Sequence, residues 1–361
     1  MNRFEPGWAA HVYDYSTDPR LLLGLLADPM RDLRSEWVPL VHVRRGWLHG
    51  SHLVITVRSI ARTPVDLEDF AAVARQTASQ LAAEPPSEHD YRARAEELAR
   101  WEVVSAPLLP LHPQGHVTVG PAEIPERWSD DLLDARDQLT ARLLEPMLGS
   151  AALPAAALLP HATRVLALCA LAHPYGVGMG ALPLRSHTEG IWSATGGTAD
   201  LRTAFSERYE KDRAVFLAAL KGPDAFEAAD GEAAVLRSWN EALHSAWGMA
   251  MALAASGSVD DEKLAVSAPR KQPLDNGVPS PFHRAARLAK FHEHEPAYWH
   301  LGHRMLLNVL YGALSTLGIT PIQRYYLCFG ISTATDELLG EDWSVRLERF
   351  RESLPDVPAR T

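Results

Sequence analysis

PAYWHLGHRMLLNVLYGALSTLG, residues 296–318, carries the clearest helical pattern in the chain. Pro296 suits the first turn of a helix, and the Leu317-Gly318 pair is a typical helix end. Four leucines recur at helical spacing and predict one buried stripe: Leu307, Leu310, Leu314 and Leu317. His303 lies on the same stripe, four residues before Leu307. The segment therefore predicts a buried helix over 296–317 with an imidazole in its apolar seam.

The composition is that of a globular protein, with 361 residues, 47% hydrophobic and 22% charged. The net charge of −10 argues against a nucleic-acid or anionic-membrane surface as the main partner. The start, MNRFEPGWAAHVYDY, lacks the apolar run of a signal peptide, and prolines interrupt the apolar region 151–172. Cys169 and Cys328 both have apolar neighbours and are expected to be buried thiols. These features predict a soluble, cytoplasmic protein.

Strand signals are confined to the first third of the chain. SHLVITVRS, 51–59, alternates between apolar and polar positions, and LVHVRRGWLHG before it predicts a hairpin partner. Residues 8–15 and 116–120 are further extended candidates. Helices are expected over 20–34, 66–83, 90–101, 129–148, 155–172, 200–220, 229–255, 283–294 and 296–317. We predict an α+β fold: one helix-rich domain over 1–361, with a small mixed or antiparallel sheet in about 1–125 and a helical part in about 126–355.

Two segments between these elements read as loops. HPYGVGMGALPLRSHTEG, 173–190, is a glycine-rich connection, and its G-x-G-x-G run lacks the Lys-Ser/Thr of a phosphate loop. Residues 257–282 contain four prolines and form a long irregular stretch. We expect the first to carry positive φ angles and the second to be functional or mobile.

Histidines are dense just before and within the long helix, at His292, His294, His300 and His303. A metal site is the less favoured interpretation, because HExxH is absent and an HxH pair on a helix points its two rings in different directions. Local hydrogen bonding is favoured for His292 and His294. For His303 and Arg304, the sequence leaves both a structural and a functional role open.

Two polar groups elsewhere are candidates for chemistry. Ser186, His187 and Glu189 are neighbours, but three adjacent residues do not make a hydrolase triad, whose members converge from separate parts of a fold. For residues 47–58, two interpretations remain open. The stretch could form a substrate-facing edge, or it could be a strand with an ordinary solvated face.

Three short motifs occur in a fixed order along the chain. They are Trp47-Leu48-x-Gly50-x-His52-Leu53 with Arg58, then Arg185-Ser186-His187-x-Glu189, then His303-Arg304-x-x-x-Asn308 before Leu317-Gly318-Ile319. In this order they resemble the glutamate-elimination domain of lanthipeptide dehydratases and its stand-alone relatives in thiopeptide biosynthesis. Length and helix-rich organisation are most similar to the aza-cycloaddition enzymes of that group, the pyridine synthases. Relatives that eliminate glutamate often carry Arg directly after the helix Asn, whereas here Val309 follows Asn308. The loss of a guanidinium that would bind a glutamyl carboxylate favours ring closure.

The resemblance implies a formal 4+2 cycloaddition between two dehydroalanines of a thiazole-containing precursor peptide. Loss of water and expulsion of the leader peptide as a carboxamide then give the central pyridine of a macrocycle. No metal or cofactor is implied, and the partner is the ribosomally made precursor with its leader. The expected catalytic residues are Tyr298, His303, Ser186, His187 and Glu189. The expected substrate- or leader-binding residues are Trp47, His52, Arg58, Arg270, Lys271, Gln272, Arg304 and Asn308.

Three alternatives stay open on the sequence. The first is a stand-alone subunit that eliminates glutamate from glutamylated Ser or Thr. The second is a non-catalytic scaffold that binds the precursor peptide. The third is a metallohydrolase built on the histidine-dense segment.

Overall fold

The computed structural model describes residues 7–35, 38, 40–59, 66–102, 104–123, 128–194, 199–222, 230–267, 280–289 and 297–353. The chain divides into two compact units. Unit 1 comprises Met1–Pro154, Gly257–Lys271 and Asn308–Ile319, and unit 2 comprises Ala155–Ser256, Gln272–Leu307 and Thr320–Thr361. Each unit gathers segments that are distant in sequence. The single-domain organisation expected over 1–361 stays a prediction.

An antiparallel sheet of four strands lies in the described part of unit 1, in the order β2-β3-β1-β4. The strands are β1 (Trp8–Tyr13), β2 (Leu40–Gly46), β3 (His52–Arg58) and β4 (Val117–Pro121). β2 and β3 form the predicted hairpin, whose turn has positive φ at His49 (63°) and Gly50 (126°). The α+β class and the small antiparallel sheet are confirmed.

Helices make up most of the rest of the described chain. Before residue 155 they are α1 (Arg20–Leu25), α2 (Ala27–Asp32), α3 (Glu68–Ser79), α4 (Glu88–Glu102), α5 (Asp130–Arg142) and α6 (Leu144–Ala151). A 3-10 turn (Ala155–Ala157) then leads to α7 (Leu158–Leu171), α8 (Val177–Gly180), α9 (Leu182–Ala194), α10 (Ala199–Ala219) and α11 (Asp230–Ala255). The last are α12 (Asp261–Ser267), α13 (Pro281–Leu288), α14 (Ala297–Thr316), α15 (Pro321–Leu339) and α16 (Trp343–Ser353). No described helix is both long and apolar enough to cross a membrane.

The two expected loops are partly helical, which corrects the sequence interpretation. In 173–190, Gly176 has the expected positive φ (80°), but α8 and most of α9 follow it directly. Gly180 is a packing residue, since a Cβ there would lie 2.0 Å from the carbonyl oxygen of Ala170. In 257–282, α12 covers Asp261–Ser267, while 268–279 lies outside the described residues. Glycine and proline content therefore overstated the length of irregular chain in both places.

A buried ionic cluster attaches α5 to the sheet in unit 1. Arg58 of β3 lies 2.6 Å from Asp134 and 3.1 Å from Asp137, and Arg136 donates to Asp137 at 2.8 Å. His42 of β2 lies 3.2 Å from the same Asp137 carboxylate, which is 2% exposed. Burial alone would raise the pKa of Asp137, but the contacts with His42 and Arg136 outweigh it and hold the pKa well below its ordinary value. Because burial also lowers the pKa of His42, the imidazole is neutral and the guanidinium groups supply the charge.

We predict that Asp137→Asn lowers the free energy of unfolding at pH 7 by about 3 kcal/mol, since it leaves buried guanidinium groups unpaired. A carboxylate whose folded pKa is depressed stabilises the protein above its unfolded pKa, and the effect is lost as pH falls through the folded value. The difference between wild type and variant should therefore narrow below pH about 4. Urea unfolding at pH 7 and pH 3.5 measures both quantities.

Asp28→Asn is the matched control. Asp28 is 88% exposed and pairs with Arg31 at 2.8 Å on the surface. Its loss should change the unfolding free energy by less than about 0.5 kcal/mol. Equal effects of the two substitutions would contradict a structural role for the buried cluster.

Candidate functional site

The predicted leucine stripe of α14 is buried along its length. Leu307, Leu310, Leu314 and Leu317 are 0–2% exposed, and His303 on the same stripe is 2% exposed. The burial predicted for this seam and for its histidine is confirmed. Gly302 allows the close packing of α14 on α11, because a Cβ there would lie 3.1 Å from the Ala250 backbone.

His303 lies among side chains from three other segments of unit 2. Its ring centroid is 4.9 Å from Trp247 of α11 and 5.2 Å from His173, which follows α7. Its Nε2 is 4.0 Å from Sγ of Cys169. The backbone N–H of Tyr175 donates to Nδ1 of His173 at 3.2 Å, so the neutral ring of His173 carries its proton on Nε2.

Burial sets the protonation states of these groups. It lowers the pKa of His173 to about 4, helped by His300, and lowers the pKa of His303 well below its ordinary value, helped by His173 and His300. Burial also raises the pKa of the Cys169 thiol to about 12. At neutral pH the site therefore holds neutral imidazoles and a protonated thiol. It supplies hydrogen-bond donors and acceptors, and no imidazolium acid or thiolate nucleophile.

Further rings continue from His173 towards the surface. Tyr175 is 54% exposed and packs on Trp299 at a centroid distance of 4.7 Å, and Trp299 lies 6.4 Å from Tyr298. Together His173, Tyr175, Trp247, Tyr298, Trp299 and His303 are called the aromatic–imidazole cluster below. Tyr298 is half-buried. The exposure of the side chains in the cluster thus increases from the buried His303 to the exposed Tyr175.

The expected cluster of Ser186, His187 and Glu189 lies on α9 and not on a loop. Ser186 and Glu189 are three residues apart and share a side of the helix, whereas His187 is rotated by about 100° from Ser186. Glu189 is 9% exposed, with Arg202 at 4.0 Å. Ser186 Oγ lies 3.1 Å from Nε2 of His283 on α13, a partner that the sequence interpretation missed.

His52 and Arg58, two of the predicted binding residues, are buried in unit 1. The interpretation of their strand as one with an ordinary solvated face is therefore wrong. His52 is 4% exposed, donates from Nδ1 to the Gly50 carbonyl at 2.8 Å, and lies 3.1 Å from His11. Burial lowers the pKa of His52 to about 3. Gly46 makes room for this ring, because a Cβ there would lie 2.2 Å from its Nε2. Arg58 is 6% exposed and belongs to the ionic cluster, a placement that favours a structural role over gripping a leader.

The remaining predicted residues are dispersed or outside the described part of the chain. Trp47 and Arg304 are half-buried, and Asn308 is exposed. Arg270, Lys271 and Gln272, like His292 and His294, lie outside the described residues. Within the described ranges, no group of three or more His, Cys, Asp or Glu side chains is arranged to hold a metal ion.

Neither a family model nor a curated protein sequence matches this chain. Solved structures that are similar to it include TbtD and TsrL. The pyridine synthase TbtD from thiomuracin biosynthesis is 20% identical, with a TM-score of 0.69 over 93% of this chain and 99% of that one. TsrL is 16% identical, with a TM-score of 0.59 over 97% of this chain and 99% of that one. The protein thus has the fold of a pyridine synthase, as the sequence resemblance predicted.

Proposed function

We propose that the protein is a pyridine synthase of thiopeptide biosynthesis. The observation that carries this proposal is the fold shared with TbtD over almost the full length of both chains. The three sequence motifs around Arg58, Ser186 and His303 support the same assignment independently of the structural match. The substrate would be a precursor peptide that bears thiazoles, two dehydroalanines and a leader.

The proposed reaction is mainly a problem of bringing two ends of a flexible peptide together. Orientation alone supplies up to about 7–11 kcal/mol in favourable cases. The exposed and half-buried rings of the aromatic–imidazole cluster suit this task, because Tyr175 and Trp299 present flat faces on which thiazoles can stack. A site of this kind binds the peptide through shape complementarity and ring stacking, and it needs few charged side chains.

The protonation states found in unit 2 match the first chemical step. Formation of the 2-azadiene requires an amide to react as its iminol, and neutral donors near the amide oxygen favour that tautomer. Tyr298 is our proposed donor to the peptide. His303 is too deeply buried to touch a peptide, so we assign it a positioning role through His173, whose Nε2–H is available as a donor.

The other predicted residues keep proposed roles that follow their placement. Glu189 and His187 of α9 would set the polarity around Ser186, and Arg304 would orient peptide amides. Asn308, which is exposed, would bind peptide amides at the surface. For Arg270, Lys271 and Gln272 we keep the leader-binding proposal from the sequence.

The proposal predicts the outcome of incubating purified protein with a synthetic leader-bearing peptide that contains two dehydroalanines. Mass spectrometry should detect a released leader carboxamide and a macrocycle lighter than the substrate by one water and that leader. An unchanged peptide would contradict pyridine synthesis. Release of glutamate from a glutamylated peptide would instead establish the elimination activity, and binding without turnover would establish a scaffold.

Tyr298→Phe should lower kcat by about 10²-fold, because it removes one hydroxyl donor while keeping the ring that packs against Trp299. Tyr325→Phe is the control: its half-buried ring lies beside Arg324 at 5.5 Å, outside the aromatic–imidazole cluster. Steady-state kinetics on the peptide substrate measures both variants. If the two variants turn over at the same rate, Tyr298 is not a donor in the rate-limiting step.

A further inference from the structure

A continuous hydrogen-bonded array joins α9 and α13 within unit 2. Ser186 Oγ lies 3.1 Å from Nε2 of His283, and Nδ1 of the same ring lies 3.1 Å from Oγ of Ser280. Both ring nitrogens of one imidazole are therefore held by hydroxyl groups. All three side chains are half-buried, so the array is within reach of a bound peptide.

The start of α13 fixes the position of this imidazole. Ser280 is the N-cap and accepts the backbone N–H of His283 at 3.2 Å, and Pro281 occupies the first turn. Phe282 is 3% exposed and packs in an apolar cluster with Leu182 of α9. The helix cap and this core contact hold the ring against Ser186 independently of any ligand.

The geometry meets the requirements of an acid–base pair. A base within hydrogen-bond distance of a hydroxyl, itself oriented by a third group, is the recurring arrangement in proton-transfer and nucleophilic sites. A hydroxyl on each ring nitrogen also lets the imidazole change tautomer while both hydrogen bonds persist, because each hydroxyl donates or accepts. Such a ring takes up a proton at one nitrogen and gives it back without a lasting charge.

We propose that His283 and Ser186 are the acid–base pair that completes aromatisation, with Ser280 as a positioning residue. This inference rests on the proposed function and assigns its last step. After loss of water, the ring still carries the leader through a C–N bond. The Ser186 hydroxyl takes a proton from the adjacent ring carbon as its own proton passes to Nε2 of His283. The C–H electron pair forms the new C=C bond, and the C–N pair leaves on the amide nitrogen. The proton on His283 returns through Ser186 to that nitrogen, so the leader departs as a neutral carboxamide and both side chains regain their starting states.

The test compares His283→Gln with wild type on the leader-bearing bis-dehydroalanine peptide. The variant keeps the backbone N–H that bonds Ser280 but loses the base. We expect leader release to slow by at least about 100-fold. A species that retains the leader and is one water lighter than the substrate should accumulate.

His244→Gln is the matched control, because His244 is an exposed histidine of α11 that bonds the Asn240 carbonyl at 2.8 Å. If wild type forms the macrocycle and both variants release leader at the wild-type rate, the acid–base pair is wrong while the proposed function stands. If wild type itself forms no macrocycle, the proposed function fails, and the role assigned to the pair fails with it.

A spectroscopic measurement separates a chemical role for Ser280 from a structural one. Nitrogen NMR of the His283 ring should show a changed tautomer balance in Ser280→Ala and in Ser186→Ala. Ser280→Thr keeps both the N-cap oxygen and the hydroxyl, so it should restore the wild-type spectrum and rate. A ring spectrum that none of these substitutions changes would overturn the array as a proton-transfer device.

Discussion

The ionised carboxylate of Asp137 is the constraint on which the polar side of the sheet depends. A buried negative charge must be compensated, and here compensation comes from guanidinium groups of β3 and of α5 itself. Strands β2 and β3 are thereby fixed against one helix through their polar side chains. The motif that contains His52 and Arg58 lies in this interior. Both side chains already interact with protein partners. We therefore attribute the presence of this motif in the family resemblance to a role in the fold.

The ionisable groups around His303 in unit 2 are neutral, in contrast to the charged groups around Asp137. His303, His173 and Cys169 lie in largely apolar surroundings, and burial keeps each of them neutral. Neutral donors and acceptors retain their strength where water is excluded, and they do not oppose the binding of apolar thiazoles and dehydroalanines as fixed charges would. A reaction that forms a ring between two uncharged partners needs this kind of environment. The chemistry proposed for unit 2 is therefore consistent with its electrostatics as well as with its fold.

The sequence predicted an element correctly where the spacing of that element's own apolar residues determines its structure. The period of two in β3 and the leucine stripe of α14 were read correctly, because burial of one face imposes those spacings. The segment with Ser186 was misread, since Gly178 and Gly180 suggested a loop, whereas Gly180 serves close packing against Ala170. The pairing of Ser186 with His283 spans 97 residues and leaves no periodic trace in the sequence. Tertiary packing alone brings such groups together.

The same packing bears on the choice between ring closure and glutamate elimination. Val309 is 5% exposed, so the position where eliminating relatives often carry Arg faces the protein interior in this fold. A buried guanidinium requires an anion beside it, either from the protein or from a bound glutamyl carboxylate. Valine removes that requirement and fills the space with apolar surface. The same burial shields Val309 from a bound peptide, so its side chain contacts neither kind of substrate. The proposal of cycloaddition over elimination therefore rests on the fold shared with TbtD, while Val309 accounts for the packing of this position without a guanidinium.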